Sequence, residues 1–379
     1  MLPLVARSAL ALTVLAVASA CPAPPTRSAS LTQKSGDTAL TIDAAHASFS
    51  FGAAASASAS ASVDCAPFSL ALRANSDTGA WHKPERPSGD EIWLHASAGA
   101  VDDKGAHFAM VDDQGNAHAN ATVTLADGGD GWVNMLVSFD QDEVNIAYVG
   151  TCLALASDEH LVGGGERFDG PDLRNKVVPL YFDAPGEFDS GTNESHAPVP
   201  FFASDKGYAL LVDEEEVGAF DVGVESSAVT NVRFHGSALH LAVRSGSIVD
   251  NVAALARRMG LPKGPPPDFA LAPMQWRNSV DVIVDAVNGN LTGTDQLLAD
   301  ANEMRARGIP TSTIWIDAPW ETGYNTFTFN ENQLPGIGDA LGALESNGYH
   351  VITWATDNLN SSDDSDQAFG MPAFASRDS

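Results

Sequence analysis

A chain of 379 residues with 44% hydrophobic content holds two or three ordinary globular domains, at about 150 residues each, and is not a disordered protein. Its 49 acids against 20 bases give a formal charge of −29, a field that repels polyanions and excludes nucleic acid as the main partner. Strong acidity also accompanies solvation in salty surroundings, so no substrate charge follows from it.

Residues 1–20 read as a secretory signal. Arg7 is the only early base, Ser8 to Ser19 is largely apolar, and Ala18-Ser19-Ala20 fits the small-residue cleavage pattern. The mature chain is therefore expected outside the cytoplasm: periplasmic, at the cell surface or secreted. Cleavage after Ala20 would put Cys21 at the new amino terminus, where it suits lipid attachment, although Ala18 stands where a lipoprotein signal more usually carries Leu. That anchor is the only membrane contact expected, because no other segment reaches the ~20 consecutive apolar residues of a span. Residues 21–37, with a Pro-, Ser- and Thr-rich run from Pro22 to Asp37, read as a flexible linker.

Of the three cysteines, Cys65 and Cys152 can pair in an oxidising compartment, two buried thiols being the alternative. With no CxxC and no His-x-His, no metal site is expected. His82, His118, His196 and His235 have no partners at ligand spacing and read as surface or loop residues.

Ala53 to Ser62 alternates Ala and Ser and reads as a mixture of loop and strand. From Ala39 to about Ala254, short period-2 runs such as Phe68 to Leu72, Trp132 to Phe139 and Leu239 to Val243 are separated by Gly, Asp and Asn turns. That rhythm predicts an antiparallel β-sandwich over residues 38–265. Asp112 to Asn116 and Ala126 to Asp130 read as hairpin turns, since a calcium loop needs more acids at alternate positions and a closing Glu. Asp213 to Glu216 reads as a solvated turn or strand end. Val249 to Met259 is helical, and Gly264-Pro-Pro-Pro267 then breaks the chain.

Beyond the break the rhythm changes. Ala270 to Trp276 is extended, Thr294 to Arg307 helical with Gly308 as its stop, Thr313 to Ile316 extended, Ile337 to Ser346 helical, and Tyr349 to Trp354 extended. Strand, helix, strand in this order is the opening of a (β/α)8 barrel over residues 266–379. Only about 110 residues follow Pro267, whereas a whole barrel takes roughly 250. The barrel is thus expected to be incomplete. Its last strand would be an edge prone to aggregation, and the chain alone inactive.

The most informative stretch is Ile309 to Asn330, where the apolar run Ile314-Trp315-Ile316 ends at Asp317 and opens into a polar, aromatic loop. Side chains at the carboxyl ends of barrel strands line the active site, so an acid there is poised to meet a ligand; a solvated loop acid is the alternative.

Trp315-Ile-Asp317, Trp320, Phe327-Thr-Phe-Asn330, a Pro-led helix from Pro335 and a third strand ending at Trp354 together resemble glycoside hydrolase family 31. A second block resembles the family's amino-terminal, galactose-mutarotase-like sandwich. It comprises Gly163-Gly-Gly-Glu-Arg-Phe168, Leu180-Tyr-Phe-Asp-Ala184, Val199-Pro-Phe-Phe202 and Lys206-Gly-Tyr-Ala-Leu-Leu-Val-Asp213. The resemblance covers roughly residues 150–360.

It implies a retaining α-glycosidase of the α-glucosidase or α-xylosidase type, acting on α-linked oligosaccharides or glycosides without a cofactor. It also implies that no catalytic residue lies in this chain, because the family's nucleophile is an Asp on the fourth barrel strand and its acid is another Asp further along. By the same resemblance Asp317 accepts hydrogen bonds from sugar hydroxyls, and Trp320 packs on a sugar face, ordinary packing being its alternative. Asp183 reaches over the barrel mouth and Trp354 lines the pocket, with an Asx turn and a core position as their respective alternatives. Asp357 is set aside, because Thr356-Asp-Asn-Leu359 departs from the family's Pro-containing turn. Glu166 and Arg167 are expected to hold strand and loop together rather than act in catalysis. The rival expectation is a carbohydrate-binding or surface-attached protein without hydrolase activity, or an inactive remnant.

Overall fold

Among the described residues, alternation of apolar and polar side chains organises Ser30 to Ser245 into sheet, and a change to helical spacing follows it. The computed structural model describes residues 30–53, 56–60, 67–73, 91–181, 193, 195–277, 283–285, 289–317, 320–323 and 326–355. It divides into two units, residues 1–261 and 262–379.

Among the described residues of the first unit the strands are β1 (Ser30–Ser35), β2 (Thr38–Asp43), β3 (Ser48–Ala53), β4 (Ser56–Ser60), β5 (Ser69–Leu72), β6 (Ile92–Ala96), β7 (Ala100–Asp102), β8 (Gly105–Val111) and β9 (Ala117–Gly129). They continue with β10 (Trp132–Phe139), β11 (Ile146–Ala154), β12 (Leu161–Arg167), β13 (Lys176–Leu180), β14 (Ser195–Ser204), β15 (Tyr208–Val212), β16 (Gly218–Val222), β17 (Val229–Phe234) and β18 (Ala238–Ser245), and helix α1 (Ile248–Met259) closes the unit.

Strands β1 to β4 form one sheet in chain order. The larger sheet runs β12, β14, β15, β18, β10, β9, β8, β6, β5, β11, β17, β16, β13, with β7 paired to β8. The two sheets share one core, in which Leu40, Ile42 and Phe51 meet Met135, Val137, Tyr208 and Leu241. Aromatic rings thread it: Phe49 lies 5.6 Å from Phe68, Phe68 5.3 Å from Phe108, Phe51 5.4 Å edge-on to Tyr208, and Phe202 5.1 Å edge-on to Phe220. This is the sandwich the alternation predicts.

Three local expectations meet the structure here. The segment read as linker is paired from Ser30: β1 lies antiparallel to β2, the Thr32 and Thr41 hydroxyls are 2.9 Å apart, and Leu31 packs against the core. Its Ser- and Thr-rich composition suits a half-buried edge as well as a tether. The second hairpin turn is narrower than Ala126 to Asp130, because β9 stays paired through Gly129 and the reversal falls at Asp130 and Gly131, both with positive φ. Asp112 to Asn116 is a turn as expected, with Asp112 Oδ1 accepting from the backbone N–H of Gln114 and Asn116, both at 2.9 Å.

Gly163, Gly164 and Gly165 sit where β12 presses on β14, with φ of +144°, +75° and +89° and register shifts in the ladder. No helix follows them. The neighbouring Arg167 side chain is 3% exposed, 3.5 Å from Asp169, and donates to Asn193. The block holds strands and loop together.

The second unit contains α2 (Asp268–Leu271), β19 (Met274–Arg277), β20 (Ile283–Asp285), β21 (Gly289–Leu291), α3 (Gly293–Ala306), β22 (Thr313–Ile316), α4 (Ile337–Ser346) and β23 (His350–Thr353). Where an extended run from Ala270 is expected, α2 intervenes, because Pro267 presets the entry dihedral and its carbonyl accepts the Ala270 N–H at 2.9 Å. Strands β19, β22 and β23 are parallel neighbours in that order. Parallel pairing needs crossovers, and α3 and α4 supply them.

A capping box starts α3: the Thr292 hydroxyl accepts from Asp295 N–H and the Asp295 carboxylate accepts from Thr292 N–H, both at 3.2 Å. Leu297, Ala301, Ile337, Ala340 and Leu344 then cover Ile314 and Ile316 of the middle strand. Arg305 ties helix to strand entry, donating to the carbonyls of Thr311, Asn347 and Gly348 while its guanidinium lies 3.7 Å over the Tyr349 ring. These parts are the opening of a (β/α) barrel.

Candidate functional site

Parallel register aligns the carboxyl ends of three strands. Arg277 pairs with Ile316, and Ile316 with Thr353, so Trp276, Asp317 and Trp354 emerge at one end of the sheet. The Trp276 indole N–H donates to Asp317 Oδ2 at 2.9 Å. Trp276 is itself 54% exposed, so it holds the carboxylate from a position open to solvent. A carboxylate has about four lone-pair sites, and the hydrogen bonds it accepts are charge-assisted.

The loop after Asp317 is tied back on itself. Thr322 N–H donates to Thr328 O and Asn330 N–H to Trp320 O, both at 2.9 Å. The buried Glu321 carboxylate accepts the Phe327 N–H at 2.9 Å. Phe327 at the loop's tip is 68% exposed and has φ of +52°, a conformation that L-residues adopt only when their surroundings impose it.

Trp320 is 4% exposed. Its ring packs edge-on to Phe329 at 5.1 Å and its N–H donates to the Trp354 carbonyl at 2.5 Å. Trp354 is half-buried, and its N–H donates to Ile316 O at 2.8 Å. Trp320 therefore lies in the small unit's core with Trp354 packed against it, and among the described residues the exposed ring that hydrogen-bonds Asp317 is Trp276. Sequence reading passes over Trp276 as an ordinary strand residue. The signal is its place at the carboxyl end of the strand that pairs with the one carrying Asp317.

Asp183, Asp357, Cys21 and Cys65 lie outside the described residues. Cys152 is disulfide-bonded and 1% exposed on β11, its partner also outside the described residues. The adjacent Thr151 hydroxyl donates to Pro67 O at 2.6 Å.

A mutarotase-like sandwich followed by the first strands of a barrel, with an acid at the carboxyl end of the second long strand, is the layout of a class of sugar-active enzymes. The family model for the glycosyl hydrolase 31 N-terminal galactose mutarotase-like domain matches residues 6–221, and that for the family 31 TIM-barrel domain matches residues 267–376. The chain belongs to glycoside hydrolase family 31.

An α-xylosidase of Lactiplantibacillus pentosus is 23% identical over 215 residues, which is 56% of this chain and 26% of that protein. The chain thus spans about a quarter of the length of this curated relative. A family 31 dextranase of Flavobacterium johnsoniae in complex with isomaltotriose superposes with a TM-score of 0.50 at 16% identity, covering 85% of this chain and 38% of that one. A family 31 sulfoquinovosidase from E. rectale in complex with an aza-sugar inhibitor superposes with a TM-score of 0.56 at 12% identity, covering 81% and 47%. At these identities the likeness shows the fold.

Proposed function

We propose that the protein acts as a retaining hydrolase of α-linked glycosides, with Asp317 holding the sugar in the subsite where the bond is cleaved. The observation that carries this reading is the Asp317 carboxylate at the open end of the middle parallel strand, fixed by the Trp276 N–H at 2.9 Å. A retaining mechanism needs two further carboxyl groups about 5 to 5.5 Å apart, one to form the glycosyl-enzyme and one to protonate the leaving oxygen. By resemblance to the family these are expected on later barrel strands. Asp317 would then accept hydrogen bonds from sugar hydroxyls and set the anomeric carbon before the nucleophile.

The test is to express the full-length enzyme and offer it p-nitrophenyl α-glucoside and α-xyloside while the first-formed anomer is followed by proton NMR. Hydrolysis that releases the α-anomer first is expected. Release of the β-anomer first, or no hydrolysis of either, overturns the reading.

We also propose export, with Cys21 as a lipid anchor. The apolar leader and its small-residue cleavage pattern support it, and so does the oxidised Cys152, since disulfides persist mainly outside the cytoplasm. Radiolabelled palmitate should enter the wild-type protein in a bacterial host and not Cys21→Ser; equal labelling of both sinks the anchor.

A further inference from the structure

A cavity of about 280 Å³ opens on the outer face of the sandwich, between the last turn of α1 and strands β9, β10 and β18. Strand register builds its floor. Leu136 faces Thr124 on one side and His240 on the other, and Asn134 faces Ala126, all on the side of the sheet opposite the buried Met135 and Leu241. Leu136, Ala126 and the Thr124 methyl group make the floor apolar.

Polar groups converge on the rim. Arg258 Nη2 donates to Asp213 Oδ2 at 2.6 Å, and the guanidinium is further held 5.7 Å over the Trp132 ring. Glu214 Oε1 holds His240 by ring Nδ1 at 2.6 Å and by backbone N–H at 2.9 Å, which leaves Nε2 for another partner. Asn134 lines the cavity, but its Oδ1 is buried and accepts no hydrogen bond among the described residues.

Each feature narrows the ligand. Asp213 and Glu214 outweigh Arg258 at the rim, and a protein of net charge −29 repels anions at long range, so an anionic ligand is disfavoured. Asp213 is held by Arg258 and Glu214 by His240, so no set of carboxylates is left to bind a metal ion through oxygen. A wholly apolar ligand would cut His240 Nε2 and the outward side of the Arg258–Asp213 pair off from water without giving them a partner. An apolar floor with a few fixed donors and acceptors around it suits a pyranose ring, whose C–H face lies down while its hydroxyls reach outward.

We infer that this cavity is a second, non-catalytic saccharide site, which takes one neutral sugar unit of an oligosaccharide on the sandwich unit. The choice of sugar rests in part on the glycosidase reading, whereas the cavity and its polar rim do not.

The experiment uses the 379-residue chain carrying Asp317→Ala, which removes the barrel-end acid, with maltotriose and isomaltotriose as probes in saturation-transfer NMR and calorimetry. Binding of at least one trisaccharide is expected to survive Asp317→Ala. Adding Ala126→Trp, which fills the floor, or Arg258→Gln, which removes a rim donor, should each weaken that binding at least ~10-fold without lowering Tm. The inference is overturned when neither trisaccharide binds the Asp317→Ala chain, or when binding persists with Ala126→Trp in place. Failure of the glycosidase reading would appear elsewhere, as absence of hydrolysis by the full-length enzyme.

Discussion

Asp317→Ala in the full-length enzyme is expected to lower kcat/KM at least ~100-fold, which corresponds to about 2.7 kcal/mol of lost transition-state stabilisation. A charge-assisted hydrogen bond removed from a buried, oriented partner typically costs about 1.5 to 3 kcal/mol, and a carboxylate at a strand end can make more than one. Misplacement of the sugar adds to the loss, because the anomeric carbon must sit within attack distance of the nucleophile. The Trp276 contact shapes the expectation further. With its indole N–H on Oδ2, the carboxylate is oriented before substrate arrives, so the hydroxyl bond forms without ordering the acid. The change should fall on kcat as well as KM, and the fold should survive, since the Asp317 side chain is only half-buried. Steady-state kinetics on p-nitrophenyl α-glucoside or α-xyloside decide it: a loss below fivefold removes Asp317 from the sugar subsite.

The parts that local pattern determines were legible in the sequence. Helix α4 falls on Ile337–Ser346 as read, and α3 lies within one residue of its expected ends, because Thr292 and Gly308 carry the start and stop signals in their own chemistry. The place of Asp317 was legible for the same reason: an apolar strand ends at Ile316 and an acid follows. What could not be read are facts of pairing. Ser30–Ser35 becomes a strand because β2 offers it an edge, and nothing in its composition states that. Trp320 carries the same side chain as Trp276, but parallel register and the Trp354 carbonyl draw it into the core while Trp276 is left open beside the acid. The cavity over Leu136 joins residues more than a hundred positions apart in sequence, from β9 to α1, so only the finished sheet assembles it.

Gly165→Ala should be among the most damaging single substitutions in the sandwich unit, with a loss of about 3 to 5 kcal/mol. The argument joins conformation to space. At φ of +89° an alanine pays about 1 to 2 kcal/mol for its Cβ alone. Here that Cβ would also stand 2.0 Å from Ala197 O and 2.7 Å from Val199 N, both backbone atoms of the paired strand, so no side chain can swing away to relieve it. Strand β12 must then separate from β14, and the ladder that joins β12 to the rest of the large sheet is lost with it. Gly170→Ala isolates the conformational cost, because its φ is +97° but nothing lies within 4 Å of the place its methyl group would take, and it should cost only about 1 to 2 kcal/mol. Urea titration followed by far-UV circular dichroism measures both. Equal midpoints for the two variants would mean that close approach of the strands is not what the triple glycine provides. A midpoint far lower for Gly165→Ala identifies Gly163-Gly-Gly-Glu-Arg-Phe168 as the clasp between β12 and β14, its glycines selected by backbone contact rather than by any chemistry of Glu166 or Arg167.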